Sequence, residues 1–322
     1  MDAPPALSSE RLARFRASLD ALAMPGRIGI AVSGGPDSLA LLLLAHGVRP
    51  TELAAATVDH GLRREAAEEA AMGAEICRRL GVPHMTLRVT VEDDPAGLQA
   101  AARKARYAAL RAWAERHDVA FLATAHHADD QAETLLMRLA RGAGLAGLSG
   151  IRRARPLAEA SGIMLIRPLL DWTKAELEDV VATAGLVPAR DPSNSDERFD
   201  RTRARALLAG GWPESRRLAA SAHHLAEAEE ALDWAAARLA AERIGFGDDE
   251  AAVDVAGVPR ELRRRLLLAV FARLAPGAEM RGDAVDRLLG ALDQGKVTTL
   301  AGFRCDSGPP WRVSRAAARR WT

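Results

Sequence analysis

A short run of small and polar residues has the composition of a phosphate-binding loop: Ser33, Gly34, Gly35, Pro36, Asp37 and Ser38. Two consecutive glycines let the backbone turn sharply and approach a ligand closely. The N–H groups of such a loop, with the N-terminus of a following helix, bind anions. The serines add hydroxyl donors, and Asp37 can bind a metal ion or a substrate amine. We therefore predict that this loop binds the phosphates of a nucleotide.

The composition of this loop distinguishes it from two common nucleotide-binding motifs. The sequence contains no Gly-x-x-x-x-Gly-Lys-Ser/Thr, which disfavours P-loop kinases and GTPases. The loop is not Gly-x-Gly-x-x-Gly either, which disfavours a Rossmann dinucleotide site. The string SGGPDS resembles the PP-loop of the N-type ATP pyrophosphatases. That resemblance implies an enzyme that cleaves ATP between its α and β phosphates, adenylates a substrate oxygen and displaces AMP with a nucleophile.

A second motif, VDHGLR at residues 58–63, ends another apolar run. Asp59 and His60 can contact the adenosine or order the loop. Asp-His-Gly is also a common composition for a turn, so the sequence is equally compatible with a turn that has no binding role.

A third motif, residues 124–134, combines two histidines with three carboxylates. Asp129 or Asp130 can cap the helix that starts here. Asp130 and Glu133 are spaced i, i+3 and share one helix face, which suits an ammonium group or Mg²⁺. A structural zinc site is disfavoured because no cysteine joins the group. His127 can orient the carboxylates or transfer a proton.

Two arginine-containing segments complete the candidate site. Arg103 and Arg106 are also spaced i, i+3 and can hold one anion together, although a solvated helix face has the same pattern. The segment DPSNSDERFDRTR, residues 191–203, predicts an ordered loop beside a phosphate-rich partner.

These motifs need a scaffold, and the first part of the chain supplies alternating strand-like and helix-like runs. The strand-like runs are 28–33, 53–59, 84–89 and 119–124, and the helix-like runs are 37–46, 65–80, 98–116 and 129–141. Such alternation predicts an α/β fold with a parallel sheet covered on both faces. Ser33, Asp59 and Thr124 end three of the strands, so we expect their motifs to meet at one sheet edge.

The rest of the chain predicts a second, smaller and mostly helical domain. A helical pattern over residues 214–243 reads as a linking helix, followed by helices near 260–274 and 283–292 and short strands within 297–313. We place the domains at 1–215 and 216–322. Arginines cluster in the second domain, which predicts a phosphate-rich partner or, alternatively, solvated helix faces: Arg260, Arg263, Arg264, Arg265, Arg273, Arg312, Arg315, Arg319 and Arg320.

Composition sets the remaining limits. The 322 residues are 48% hydrophobic, which is typical of a globular chain with room for two cores. The longest apolar run, 39–45, is too short to cross a bilayer, and no signal peptide is visible. Cys77 and Cys305 lie in different predicted domains, so a disulfide is disfavoured and the expected location is the cytoplasm, without a membrane partner.

Together the motifs resemble one family, the tRNA(Ile)-lysidine synthases. The similarity spans about residues 27–205 in consistent order and includes SGGPDS, VDHGLR, ARYAAL, AHHADDQAETLLMRLARGAGLAGLSGI and DPSNSDERFDRTR. It implies an N-type ATP pyrophosphatase fold (adenine nucleotide alpha hydrolase-like) and a C-terminal tRNA-binding domain. The implied reaction joins free L-lysine to C2 of the wobble cytidine in an isoleucine tRNA with a CAU anticodon.

For this reaction, the chemistry of the candidate residues suggests their roles. ATP and Mg²⁺ would be held by the 33–38 loop with Asp37 as the metal ligand, and by Asp59 and His60. Arg103 or Arg106 would stabilise departing diphosphate, and Asp130 with Glu133 would hold the lysine amine, oriented by His127. A PP-loop tRNA thiolase and a non-enzymatic nucleotide sensor are the alternatives, and a homodimer is compatible with the sequence.

Overall fold

The computed structural model describes residues 7–60, 64–92, 94–95, 97–158, 161–187, 199–278, 280 and 282–316. The chain divides into two compact units, Met1–Ala226 and Glu227–Thr322. The division falls inside the long helix that the sequence predicted as a link between domains. Among the described residues, no helix is long and apolar enough to cross a membrane.

The first unit contains most of the helices and one sheet. Its elements in chain order are α1 (Ser9–Asp20), β1 (Ile28–Ala31), α2 (Pro36–Val48), β2 (Leu53–Asp59), α3 (Arg64–Arg79), β3 (His84–Arg88), α4 (Leu98–Arg116), β4 (Phe121–Ala123), α5 (Ala128–Ala140), α6 (Leu145–Leu148), β5 (Ala154–Pro156), β6 (Met164–Ile166), α7 (Lys174–Thr183), α8 (Phe199–Ala209) and the start of α9 (Ser215–Arg243). The predicted strands and helices are confirmed, and α4 and β2 have the predicted bounds.

The sheet of the first unit is α/β in type, as predicted, with strand order β3-β2-β1-β4-β6-β5. The first five strands are parallel, and β5 pairs antiparallel with β6 at the edge. The parallel strands run outward in chain order on both sides of the β1–β4 pair, as β1-β2-β3 in one direction and β4-β6 in the other. In open α/β sheets such a reversal leaves a crevice at the carboxyl ends of the strands. The segments after β1 and β4 therefore lie side by side at this crevice.

Helices α2 and α4, which carry candidate site residues, pack closely against the sheet. All four residues of β1 are buried, and the apolar run 39–45 of α2 is buried throughout, so α2 packs into the core on every side. Gly29 of β1 has no space for a side chain, because a Cβ there would lie 2.7 Å from the Trp113 ring and 2.8 Å from Val119. This close approach fixes α4, which carries Arg103 and Arg106, against the sheet.

Helix α7 was not predicted, and its capping explains its position. The Thr173 hydroxyl accepts from the Glu176 N–H, and the Glu176 carboxylate accepts from the Thr173 N–H. Glu176 also binds Arg14 of α1 and Arg216 of α9, each at 2.7 Å. Burial opposes ionisation of Glu176, but these hydrogen bonds outweigh burial and lower its pKa to about 2. One carboxylate therefore ties three helices together.

The second unit combines helices with an antiparallel sheet of order β7-β8-β11-β10-β9. Its elements are the end of α9, β7 (Ile244–Phe246), β8 (Glu250–Val253), α10 (Arg260–Leu274), α11 (Gly282–Asp293), β9 (Thr298–Leu300), β10 (Phe303–Asp306) and β11 (Trp311–Arg315). The helices and the final strands are confirmed. The β7–β8 hairpin was not predicted, because glycines and aspartates at 245–249 read only as a helix break.

Three consecutive arginines of the cluster in the second unit form ion pairs within that unit, so these three do not present the free basic surface that the sequence predicted. Arg265 is buried and binds Glu229 at 2.7 Å and Glu261 at 3.0 Å. Arg263 pairs with Asp293, and Arg264 lies 3.3 Å from Asp286. The sequence shows the arginines in one run, whereas most of their carboxylate partners come from other helices. Arg319 and Arg320 lie outside the described residues.

Candidate active site

The loop between β1 and α2 is held in one conformation by Ser38. The Ser33 N–H donates to Ser38 Oγ at 3.0 Å, and that hydroxyl donates to the Gly35 carbonyl at 3.0 Å. Gly34 has a φ of +85°, a left-handed conformation that favours glycine. The run of small residues therefore builds the tight turn that the sequence predicted.

The loop leads directly into the N-terminus of α2. Gly35 is the N-cap residue and makes no side-chain capping bond, and Pro36 occupies the first turn without needing an N–H partner. The backbone N–H groups of this turn are thus available to an anion. Asp37 Oδ1 is buried and has no hydrogen-bond partner among the described residues. An unpaired buried carboxylate oxygen is suited to a cation such as Mg²⁺, which often takes only one or two protein carboxylates beside substrate phosphates.

A cleft of about 370 Å³ opens over this loop. Seven of the predicted site residues line it: Ser33, Gly35, Pro36, Asp37, Ser38, Arg106 and Asp130. Its other lining residues include Thr124 and His126, at the end of β4, and Lys174 and Arg201. The volume is within the range of small-molecule sites. The predicted meeting of motifs at one sheet edge is confirmed for β1, β4 and α5.

The structure separates other predicted residues from this cleft. Arg103 lines a neighbouring cleft instead. Asp59 and His60 lie at the carboxyl end of β2, and neither lines the cleft over the loop in the described part of the chain. Burial and the nearby Arg106 lower the pKa of His60. Residues 61–63 and 191–198, which belong to two of the sequence motifs, lie outside the described residues.

His127 lies at the centre of the acidic group. Its Nε2 is 3.6 Å from both Asp37 Oδ2 and Asp130 Oδ2, and its Nδ1 is 3.5 Å from Asp129 Oδ2. Burial alone would lower the His127 pKa, but the surrounding carboxylates outweigh burial and raise it to about 10. We assign a doubly protonated imidazole, so the 3.3 Å approach of the Asp129 N–H to Nδ1 is a close contact and not a hydrogen bond. His127 therefore holds the carboxylates in place.

The carboxylates of Asp129 and Glu133 already bind donors from other helices of the first unit. Asp129 accepts from the Lys174 N–H at 2.8 Å and from the Ser215 hydroxyl at 2.9 Å. The side chain of Glu133 is 8% exposed and lies between two guanidiniums of α8, with Arg201 Nε at 2.6 Å and Arg205 Nε at 2.8 Å. Both carboxylates thus serve mainly to attach neighbouring helices to α5.

Asp130 differs from these two because it faces the cleft. It accepts from the His127 N–H at 3.1 Å and from Arg201 Nη2 at 3.1 Å, so it completes the cap of α5 that the sequence offered as an alternative role. Burial raises the pKa of Asp130, since these donors offset only part of its lost hydration. Asp37 and Asp130 are therefore the two carboxylates of the group that can reach a ligand in the cleft.

Sequence reasoning did not select Lys174, Arg201 or His126 as site residues. Arg201 lies in a quoted motif, and its arginine-rich context was the only available signal. Lys174 is the first residue of α7, which was not predicted. His126 hydrogen-bonds Thr124 Oγ1 at 3.1 Å, and burial with nearby arginines lowers its pKa to about 3.

The sheet order, the loop and its cleft define a PP-loop nucleotide-binding protein. The family model described as a PP-loop domain matches residues 8–210. One solved structure with a related fold is the U34-tRNA thiolase NcsA from Methanococcus maripaludis. It has a TM-score of 0.57 and 19% identity, covering 68% of this chain and 78% of that chain. At this identity the likeness shows the fold alone.

Curated relatives narrow the class further. A tRNA(Ile)-lysidine synthase from Novosphingobium aromaticivorans is 48% identical, covering 95% of this chain and 94% of the relative. One from Zymomonas mobilis is 44% identical, covering 92% of this chain and 91% of the relative. The chain belongs to the tRNA(Ile)-lysidine synthase family.

Proposed function

We propose that this protein joins lysine to C2 of the wobble cytidine in an isoleucine tRNA with a CAU anticodon. It acts as an ATP-dependent carbon–nitrogen ligase, and its products are lysidine, AMP and diphosphate. The observation that supports this most is the 48% identity to a named synthase over 95% of the chain. The cleft is consistent with that reading, because a phosphate-binding loop and a carboxylate able to receive an amine face the same space.

The first step needs ATP held with its α-phosphorus exposed. The loop N–H groups and the first turn of α2 bind the phosphates, and Asp37 Oδ1 is the group that would hold Mg²⁺. When bound, Mg²⁺ supplies positive charge to the phosphates. The cytidine O2 attacks the α-phosphorus, and Arg106 with the loop N–H groups stabilises the departing diphosphate. The base then carries an adenylated oxygen at C2.

The second step needs a neutral amine. A lysine ε-amine has an unperturbed pKa of about 10.4, so the protein must favour loss of its proton. Asp130 receives the ammonium and accepts that proton, while His127 keeps the carboxylates of Asp130 and Asp37 in position. The amine attacks C2, and AMP leaves with the former O2 of the cytidine. Glu133, paired with two arginines, positions α8 and does not contact the lysine.

The thiolase alternative lacks its nucleophile. Cys77 and Cys305 are both buried and lie in different units. Burial raises the pKa of Cys77 to about 12, and burial with the nearby Asp306 raises that of Cys305 to about 11. The reactive form of cysteine is the thiolate, so neither thiol is prepared to carry sulfur. We place the ligase reaction in the cytoplasm. The homodimer and the tRNA-binding role of residues 216–322 stay predictions.

Nucleotide turnover tests the proposed function. We expect sustained formation of AMP and diphosphate from ATP only when lysine and the cognate tRNA are both present, because without lysine the reaction stops at the adenylated cytidine after a single release of diphosphate. Matched reactions contain ornithine in place of lysine, or the same tRNA with a GAU anticodon. AMP formation at full rate without tRNA or without lysine would contradict the proposal.

A further inference from the structure

A second cleft of about 500 Å³ adjoins the nucleotide cleft and is lined mainly by arginines. They come from α4, α5, the segment around β5 and the end of β6, and they include Arg103, Arg138, Arg152, Arg155 and Arg167. No aspartate or glutamate lines this arginine cleft in the described part of the chain. Seven arginine side chains line it, and although Arg201 is paired with Asp130 and Glu133, the absence of a lining carboxylate among the described residues makes the cleft a strongly positive surface.

Most of this charge is not neutralised elsewhere. Among the described residues, no carboxylate forms an ion pair with Arg103, Arg152, Arg155 or Arg167, whereas the adjacent Arg153 binds both oxygens of Asp171 at 2.6 and 2.7 Å. Arg167 is 3% exposed; its Nη1 donates to the Arg152 carbonyl, but its Nε has no hydrogen-bond partner and no carboxylate neutralises its charge in the described part of the chain. Burying a charge without a partner is costly, so such a cluster indicates that an anion completes it.

The Tyr107 ring and the His126 imidazole both lie among these positive charges. The guanidiniums of Arg103 and Arg155 lie 5.0 and 5.8 Å from the centre of the Tyr107 ring. Burial, Arg167 and the two arginines of α4 lower the pKa of His126, which keeps it neutral. Stacking on an aromatic ring holds guanidiniums in place while leaving their N–H groups to a ligand.

The two clefts lie next to each other, because His126 and Arg201 line both. An RNA strand that delivers a base to the nucleotide cleft must place its neighbouring phosphates close by. At about 500 Å³ the arginine cleft is larger than one diphosphate needs, and its arginines come from several segments. Met137 and Ile151 add apolar surface suited to a ribose or an unstacked base. These features favour an RNA strand over a free diphosphate.

We propose that the arginine cleft binds the phosphates of the RNA strand on either side of the target cytidine. This inference rests on the proposed function for the identity of the RNA. It places backbone contacts of the anticodon loop on the first unit, whereas the sequence analysis assigned binding of a phosphate-rich partner to the arginines of the second. Phosphate contacts of this kind fix the position of the strand and do not read its sequence.

The test is binding of an unmodified CAU-anticodon tRNA to the double variant Arg152→Ala/Arg155→Ala. We expect its Kd to rise by about tenfold to a hundredfold, since each arginine loses a charged hydrogen bond to phosphate. The dependence of log Kd on log salt should become less steep by about 0.7 for each lost contact. Arg78→Ala is the matched control, because it removes an exposed arginine already paired with Glu75 at 2.6 Å on α3.

The same variants are titrated with ATP and with inorganic diphosphate. Weaker tRNA binding with unchanged ATP and diphosphate binding supports the proposal. Unchanged tRNA binding overturns it, and so does a loss of ATP or diphosphate binding at least as large as the loss of tRNA binding. Because the readout is binding, a wild-type protein that binds this tRNA but adds no lysine would refute the proposed function separately.

Discussion

Replacing Asp37 by asparagine should reduce the rate of tRNA-dependent AMP formation by about 10²–10³-fold, the usual cost of removing one charge-stabilising group at a reacting centre. Asparagine has the same size but no charge, so it cannot replace the carboxylate as a Mg²⁺ ligand. Asp37 has the buried oxygen without a partner, which distinguishes it from the other carboxylates of the site. The variant should fold normally, because no described donor loses a partner on Oδ1.

The measurement is single-turnover AMP release over a range of Mg²⁺ concentrations. Asp283→Asn is the control, since it removes the same charge from the first turn of α11 in the other unit. The control should retain near-full activity, and both variants should keep the wild-type circular dichroism. If Asp37→Asn turned over within about threefold of wild type, the metal site would have to be placed elsewhere.

Asp130→Asn and Glu133→Gln should separate catalysis from positioning. We expect Asp130→Asn to lower kcat/KM for lysine by about 10²-fold, the lower range for loss of a group that accepts a proton. Its effect on ATP binding should be small, and asparagine can still accept the capping hydrogen bond from the His127 N–H. Glu133→Gln should instead lower the thermal unfolding temperature, because Arg201 and Arg205 lose a shared carboxylate.

Separate titrations of lysine and ATP, together with thermal unfolding, provide the readouts. The free energy of unfolding of Glu133→Gln should fall by about 1–3 kcal/mol, the usual range for hydrogen bonds to charged groups. The loss should be smaller than for a fully buried ion pair, because both arginines are about one-third exposed. An unfolding temperature like wild type with a selective loss of lysine use would return Glu133 to the amine-binding role that its sequence spacing predicted.

The scaffold of the site was predictable because its signals are local. An apolar run followed by SGGPDS describes β1, the loop and α2 within about twenty residues, and the same is true of β4 and α5. The alternation of runs predicts parallel strands, and parallel strands bring their carboxyl ends together. The meeting of Asp37, His127 and Asp130 follows from these two facts.

The division of work among the carboxylates was not predictable, because it depends on distant partners. Glu133 is bound by arginines 68 and 72 residues further along the chain, and Asp129 by groups 45 and 86 residues away. Spacing on one helix shows which carboxylates share a face and not which are already neutralised. The run of arginines in α10 predicted free positive charge for the same reason. Their partners Glu229, Asp286 and Asp293 lie on other helices and could not be identified from the sequence.

Mass analysis of the tRNA after reaction tests the central claim most directly. The purified protein is incubated with ATP, Mg²⁺, isotopically labelled lysine and the CAU-anticodon isoleucine tRNA, and the RNA is digested and mapped. We predict that the wobble cytidine alone gains one lysine and loses one water, with one AMP formed for each modified tRNA. Sulfur at that position, lysine at another nucleotide, or no modification despite ATP and tRNA binding would contradict the account.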